Sequence, residues 1–207
     1  MRIIGTALCA VALGAFGTAA SAATISFGET FSPVAIADAS TASRTIDVTT
    51  VGTIVDLDVV VDFSQSGDWI NSDGSISGTG YPFPEELSLT LQSAQGTSVT
   101  LIGTGSYSNG SAGRYVFTFD DEAASGYASA TASGTYRPSG FLSAFDAEEM
   151  MGLWTITIGD SAGADPKSLN AVSLNFTYEV VAVPLPAGAP LLVGGLAVLG
   201  LRRRRRM

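Results

Sequence analysis

The sequence predicts an all-β domain of the antiparallel β-sandwich or jelly-roll class. Many short segments alternate apolar and polar residues with a period of two, and turns rich in the chain's 24 glycines separate them. No segment between the two ends of the chain has the spacing of an amphipathic helix. We therefore predict one domain over residues 23–182, which is long enough to bury a substantial core.

The clearest strand is predicted over residues 53–63, after an Ala/Ser/Thr-rich stretch at 23–43 and a β-prone segment at 44–50. The 23–43 stretch is interpreted as a short strand or an ordered arm. Within 53–63 one face is predicted to be buried, and it consists of Val55, Leu57, Val59, Val61 and Phe63. The opposite, wet face carries Asp56, Asp58 and Asp62.

A turn-rich insertion at 64–84 then precedes a predicted hairpin. Its strands are the alternating Leu87, Leu89 and Leu91 and the returning segment 98–102. After a Gly/Ser loop, residues 114–119 form a further strand, with Tyr115, Phe117 and Phe119 on its inner face.

The last third of the domain is predicted to hold two strands. Residues 120–140 are irregular, and 141–149 form a short turn-like or helical piece. The inner faces of the two strands are Trp154, Ile156 and Ile158 in one, and Val172, Leu174, Phe176 and Tyr178 in the other. An acidic turn at 159–167 joins them.

Both ends of the chain carry export features. Arg2, an apolar run and the small-residue site Ala20-Ser21-Ala22 predict a signal peptide over 1–22, handled by the Sec machinery and signal peptidase. The only cysteine, Cys9, lies inside it and follows Leu8, whereas a lipoprotein signal needs a small residue there. The mature domain is therefore expected to have no disulfide.

The C-terminal 25 residues, 183–207, combine a proline-bearing motif, an apolar segment at 188–201 and an arginine cluster. The motif is Val183, Pro184, Leu185, Pro186 and Ala187. The arginines, expected to be retained in the cytoplasm, are Arg202, Arg203, Arg204, Arg205 and Arg206. This tail resembles the VPLPA-CTERM signal, a variant of the PEP-CTERM class of Gram-negative bacteria. The resemblance implies transient anchoring in the inner membrane, with the domain in the periplasm. The resemblance also implies that an exosortase-type transpeptidase then cuts the chain near the motif.

An ordinary transmembrane anchor is the alternative for this tail. Residues 188–201 would give about 21 Å of helix, whereas a bilayer core needs about 30 Å. Extending the segment backwards takes in Pro184, Pro186 and Pro190, which break a helix. A short apolar segment with prolines at its start favours the processed signal.

The domain itself carries a second set of motifs. They are the strand at 53–63, the hairpin opening at 86–97, Phe119-Asp-Asp-Glu-Ala123, Tyr136-Arg-Pro138, the segment 152–160 (GLWTITIGD) and the ending at 169–176. Their order resembles the P/Homo B domain, which follows the catalytic domain of subtilisin-like proprotein convertases. The resemblance implies a galactose-binding-like β jelly roll that stabilises a protease or presents a binding surface. The sequence departs from the family at Glu86, Ala94 and 171–172.

Composition argues against an enzyme and against a nucleic-acid partner. The chain has no histidine, which removes the commonest general base and the Ser-His-Asp arrangement. A pair of carboxylates could hydrolyse a glycoside, but the carboxylates that are adjacent in this sequence would face opposite ways on a strand. Between residues 23 and 182 only four basic residues face 19 acidic ones, a net charge of −15 that repels nucleic acid and anionic lipid.

Calcium is the predicted cofactor, because carboxylate and amide oxygens suit it and acidic loops are plentiful. The candidate ligands form three groups: Asp68, Asn71 and Asp73; Asp120, Asp121 and Glu122; and Asp160 and Asp165. Solvated acidic turns that only aid solubility are the alternative for each group. Trp69 and Tyr81 lie in a polar loop and, if exposed, offer rings for stacking on a sugar. The alternative is that Trp69 anchors the loop.

Three functions follow from these features. The leading one is an exported, non-enzymatic surface or extracellular-matrix protein processed by an exosortase and, through the tail resemblance, linked to exopolysaccharide. The second is a calcium- or carbohydrate-binding module. The third is an accessory domain for a separately encoded subtilisin-like protease.

Overall fold

The computed structural model describes residues 22–180, which lie within one compact unit. They contain these strands: β1 (Ala22–Ala37), β2 (Ser40–Val48), β3 (Thr53–Gln65), β4 (Trp69–Ile70), β5 (Ile76–Ser77), β6 (Leu87–Gln92), β7 (Ser98–Ile102), β8 (Gly113–Phe119), β9 (Gly134–Tyr136), β10 (Gly152–Asp160) and β11 (Lys167–Glu179). Two short 3₁₀ turns, Pro84–Glu86 and Leu142–Phe145, are the helical elements of these residues.

The strands form two packed sheets and one small hairpin. The larger sheet has the order β1-β11-β3-β8-β9, and the smaller has the order β2-β10-β6-β7. All neighbours in both sheets are antiparallel except β8 and β9, which are parallel. The predicted all-β antiparallel sandwich is confirmed.

The core fills the space between the two sheets. The inner faces predicted for β6, β8 and β10 are buried there. Trp154 of β10 is fully buried in this core, and its ring packs edge-to-face against the rings of Phe145 and Phe176. Its indole N–H donates to the Met150 carbonyl at 2.9 Å, so the one polar atom of this buried side chain is satisfied.

The prediction for β3 is correct except at one end. Leu57, Val59, Val61 and Phe63 are buried, but Val55 is 43% exposed and Ile54 is buried instead. The register between β3 and β11 shifts between Thr177 and Tyr178, whose partners are Asp56 and Ile54. Val55 is the extra residue of a bulge in β3 and has no partner in β11. The bulge reverses which side chains face the core, so that Ile54, rather than Val55, is buried.

Two other segments differ from their predicted form. The 23–43 stretch is neither a short strand nor an arm, because β1 pairs with β11 along most of its length and β2 already begins at Ser40. Residues 120–140, predicted to be irregular, contain β9. The 87–102 hairpin is confirmed as the pair β6–β7.

Residues 1–21 of the predicted signal peptide and the tail at 183–207 lie outside the described residues, whereas Ala22 is the first residue of β1. Within 22–180 no helix has both the length and the apolarity needed to cross a bilayer.

Candidate functional site

A cluster of four ionisable side chains closes one end of the core. Asp160 continues the inward-facing series Trp154, Ile156 and Ile158 along β10, and Lys167 is the first residue of β11. Glu86 directly precedes β6, which is the neighbour of β10. Asp165 lies in the loop between β10 and β11. We call these residues, Glu86, Asp160, Asp165 and Lys167, the end cluster.

The ammonium group of Lys167 lies close to one aspartate of the end cluster and further from the other. Its Nζ donates to Oδ2 of Asp165 at 2.7 Å and to the Asp165 backbone carbonyl. The distance from Nζ to Oδ1 of Asp160 is 3.6 Å, an ion pair without a hydrogen bond. All three side chains are almost completely buried.

Several carboxylate oxygens of the end cluster have no side-chain donor. Both Oδ atoms of Asp160 and Oε2 of Glu86 are buried, and no described side chain donates a hydrogen bond to them. The backbone N–H of Ala162 has only a minor effect on Asp160, lowering its pKa slightly against the larger effect of burial. Burial is the main cause that raises the pKa of Asp160 to about 7. Burial, followed by the charge of Asp165, also raises the pKa of Glu86. Both carboxylates are therefore costly to keep ionised without a further positive charge.

The first predicted calcium group serves its own loop. Asp68 Oδ2 accepts the backbone N–H of Gly80 at 2.6 Å, and Asp73 Oδ1 accepts that of Ser75 at 2.9 Å. The amide of Asn71 donates to Oγ of Ser75 at 2.8 Å. These contacts hold the turns around the β4–β5 hairpin.

In the second group, the side chain of Asp121 is directed away from its two neighbours. Its oxygens accept the backbone N–H groups of Leu142 and Ser143 at 3.0 and 2.9 Å, at the start of a 3₁₀ turn. A side-chain hydrogen bond joins Glu122 to Asp120 and raises the pKa of Glu122.

Asp58 of β3 lies within the field of the same acidic region. Partial burial, and then the charges of Asp120, Asp56 and Glu122, raise its pKa to about 6. A raised folded-state pKa means that folding stability is lost as the pH rises from about 4 to about 6. This acidic surface therefore opposes folding at neutral pH.

Replacing Asp58 by asparagine is expected to stabilise the protein at pH 8 by about 1 kcal/mol, a value reduced for partial solvent exposure. The advantage should vanish below about pH 4, where the aspartate is protonated in both folded and unfolded chains. Urea unfolding at both pH values measures this. Asp47→Asn on β2, an exposed carboxyl, is the control, and an equal gain from both variants would contradict the prediction.

Trp69 and Tyr81 are both on the surface of the 66–84 loop. Their side chains are 61% and 53% exposed, and the Tyr81 ring stacks edge-to-face on Phe83 at 5.1 Å between centroids. Trp69 is therefore not a buried anchor. Both rings are therefore accessible to a ligand. That they stack on a sugar stays a prediction.

Two members of the end cluster were not singled out as ligands by the sequence. Asp160 and Asp165 were paired from their shared turn, but Glu86 belongs to a much earlier segment of the chain. Lys167 is the only lysine of the chain, and it falls on the inward side of β11. A lone lysine at an inward position is the signal that could have pointed to a buried counter-charge.

No protein-family model and no curated protein sequence matches the chain. Similar solved structures include the Aeromonas sobria serine protease in complex with the chaperone ORF2, with a TM-score of 0.44 and 17% identity over 79% of this chain. The same protease alone gives a TM-score of 0.44 and 16% identity over 78%. The protein FLHE gives a TM-score of 0.39 and 10% identity over 77% of this chain and 98% of its own length.

The chain spans only 28% and 27% of the two protease chains that it resembles. At these TM-scores and identities, the fold assignment rests on the strands of this chain itself. The resemblance to the P/Homo B domain stays a prediction.

Proposed function

We propose that this chain is an exported, non-enzymatic β-sandwich module of the cell surface or extracellular matrix, released from a membrane-held precursor by an exosortase-type transpeptidase. The observation that carries the proposal is where the last described strand ends. The last strand, β11, stops at Glu179, and the motif begins at Val183.

This spacing supports a cut that leaves the domain intact. Every strand that the structure describes in the two sheets lies before Val180, so cleavage within 183–187 removes none of these strands. Residues 180–182 separate Glu179, the final residue of β11, from the motif. Proteolytic cuts concentrate outside paired secondary structure, and the predicted cleavage motif begins four residues after the last residue of β11.

The composition of the domain supports a non-catalytic role outside the cytosol. The chain has no histidine, and its one cysteine lies in the predicted signal peptide. The net charge of −15 between residues 23 and 182 favours a soluble, self-repelling surface module. Exopolysaccharide is the extracellular partner that the tail resemblance suggests.

The intact mass of the protein recovered from its native host tests the proposal. We expect a chain that begins near Ala23 and ends within 183–187, with or without an added group. Deleting Arg202 to Arg206 should leave the precursor uncut or misplaced, because the arginines fix the orientation of the tail. A recovered mass that still includes residues 188–207 would instead identify a permanent membrane anchor.

A further inference from the structure

We propose that Glu86, Asp160 and Asp165 of the end cluster bind one divalent cation of the hard, oxygen-seeking class to which Ca²⁺ belongs. This inference goes beyond the proposed function and does not depend on how the tail is processed. It rests on the geometry, burial and charge of described residues.

The spacing of the oxygens fits such an ion. One carboxylate oxygen from each of the three residues lies within 4.8 Å of the other two. Oxygens that share a central Ca²⁺ at about 2.4 Å can be at most about 4.8 Å apart. Among the described residues, Glu86, Asp160 and Asp165 are the one group of three or more acidic side chains whose oxygens meet that limit.

The unpartnered oxygens supply an independent reason for a ligand. Asp160 is only 4% exposed, and no side chain donates a hydrogen bond to either of its oxygens; the backbone N–H of Ala162 contributes only a minor interaction. Oε2 of Glu86 also has no side-chain donor. Buried carboxylate oxygens without donors are costly, and a metal ion would satisfy all three.

Lys167 does not complete the neutralisation of the end cluster. Its single positive charge stands against three carboxyl groups, and its hydrogen bonds go to Asp165 alone. The 3.6 Å separation from Asp160 leaves that side chain in an ion pair without a hydrogen bond. A divalent cation would bring the fully ionised cluster to a net charge of zero.

The backbone holds two of the three ligands in place. The N–H of Ser161 donates to the Glu86 carbonyl at 3.2 Å, which ties the start of β6 to the end of β10. Asp160 itself belongs to β10 and pairs with Leu87. Ligands on paired strands lose little freedom on binding, so the site is largely preformed.

Calcium titration of the full chain, purified in detergent and stripped with EDTA, tests the site at pH 8. We expect one Ca²⁺ per chain by calorimetry, with weaker binding of Mg²⁺. At a hundredfold excess over Kd, the melting temperature should rise by about 5 to 10 °C. Absence of saturable binding at pH 8 would overturn the proposal.

Two neighbouring glutamates give a matched pair of variants. Glu86→Gln keeps the shape of a ligand but removes its charge, and we expect at least a tenfold loss of Ca²⁺ affinity. Glu85→Gln changes an exposed residue by the same single charge and should alter the affinity less than twofold. Equal Ca²⁺ affinities of the two variants would show that calcium binds diffusely to the acidic surface and would contradict the proposed site.

Lys167→Met provides a test in the opposite direction. Removing the positive charge beside the cation should tighten Ca²⁺ binding by at least tenfold. If this variant folds only when Ca²⁺ is present, that requirement also supports the site. A variant that binds Ca²⁺ no better than the original chain would contradict it.

Discussion

Replacing Lys167 by methionine is expected to lower the free energy of unfolding by about 3–5 kcal/mol in calcium-free buffer at pH 8, because two buried aspartates, Asp160 and Asp165, lose the cation that pairs with both. Chemical denaturation followed by tryptophan fluorescence measures the loss. The loss should shrink at pH 5, because Asp160, whose pKa is raised to about 7, is then protonated and part of the uncompensated charge is removed.

Arg114→Met is the control for this prediction. Arg114 also pairs with an aspartate, Asp62, through two hydrogen bonds of 2.7 and 2.6 Å, but its side chain is half exposed. Exposed pairs contribute about 1 kcal/mol or less. A loss in Lys167→Met no larger than the loss in Arg114→Met would contradict the structural role of the end cluster.

Replacing Trp154 by alanine is expected to destabilise the domain by about 3–5 kcal/mol, because the change leaves a cavity between the two sheets. Trp154 is fully buried and touches Phe145 and Phe176 through its ring. Phenylalanine at this position should cost less than alanine, because its ring fills part of the cavity. Some cost remains, because the hydrogen bond to the Met150 carbonyl is lost. Thermal and urea unfolding give the values.

The adjacent residue Leu153 is the control for the core substitution. It lies on the same strand with its side chain 61% exposed, so Leu153→Ala should change the stability by less than about 0.5 kcal/mol. If Trp154→Ala and Leu153→Ala lost similar amounts of stability, the assignment of Trp154 to the core would be wrong.

Most of the fold could be predicted because a period of two marks a sheet with one wet face. The inner faces of β6, β8 and β10 follow directly from that pattern. Val55 was placed on the wrong face because a bulge depends on the pairing partner, which the local sequence does not specify. The strand β9 was missed because three residues are too few to show a period.

The candidate site was only half predicted, for a related reason. Asp160 and Asp165 are close in the chain, so their shared turn suggested a pair. Glu86 joins them only because β6 pairs with β10. Lys167 lies two residues after Asp165, but its inward direction depends on the register of β11. Contacts between distant segments require the register of the strands, and local patterns do not contain it.

The position of β11 in the larger sheet has a consequence for the order of folding. The last strand of the described chain lies between β1, the first strand, and β3. While residues 167–179 are still being synthesised, β1 lacks its partner in this sheet and β3 lacks one of its two. Closure of the larger sheet must therefore wait for β11, since pairing between the first and last described strands carries a large loop-closure entropy. The larger sheet of this topology therefore stays incomplete until nearly all of residues 22–179 are available, whereas the smaller sheet does not contain β11.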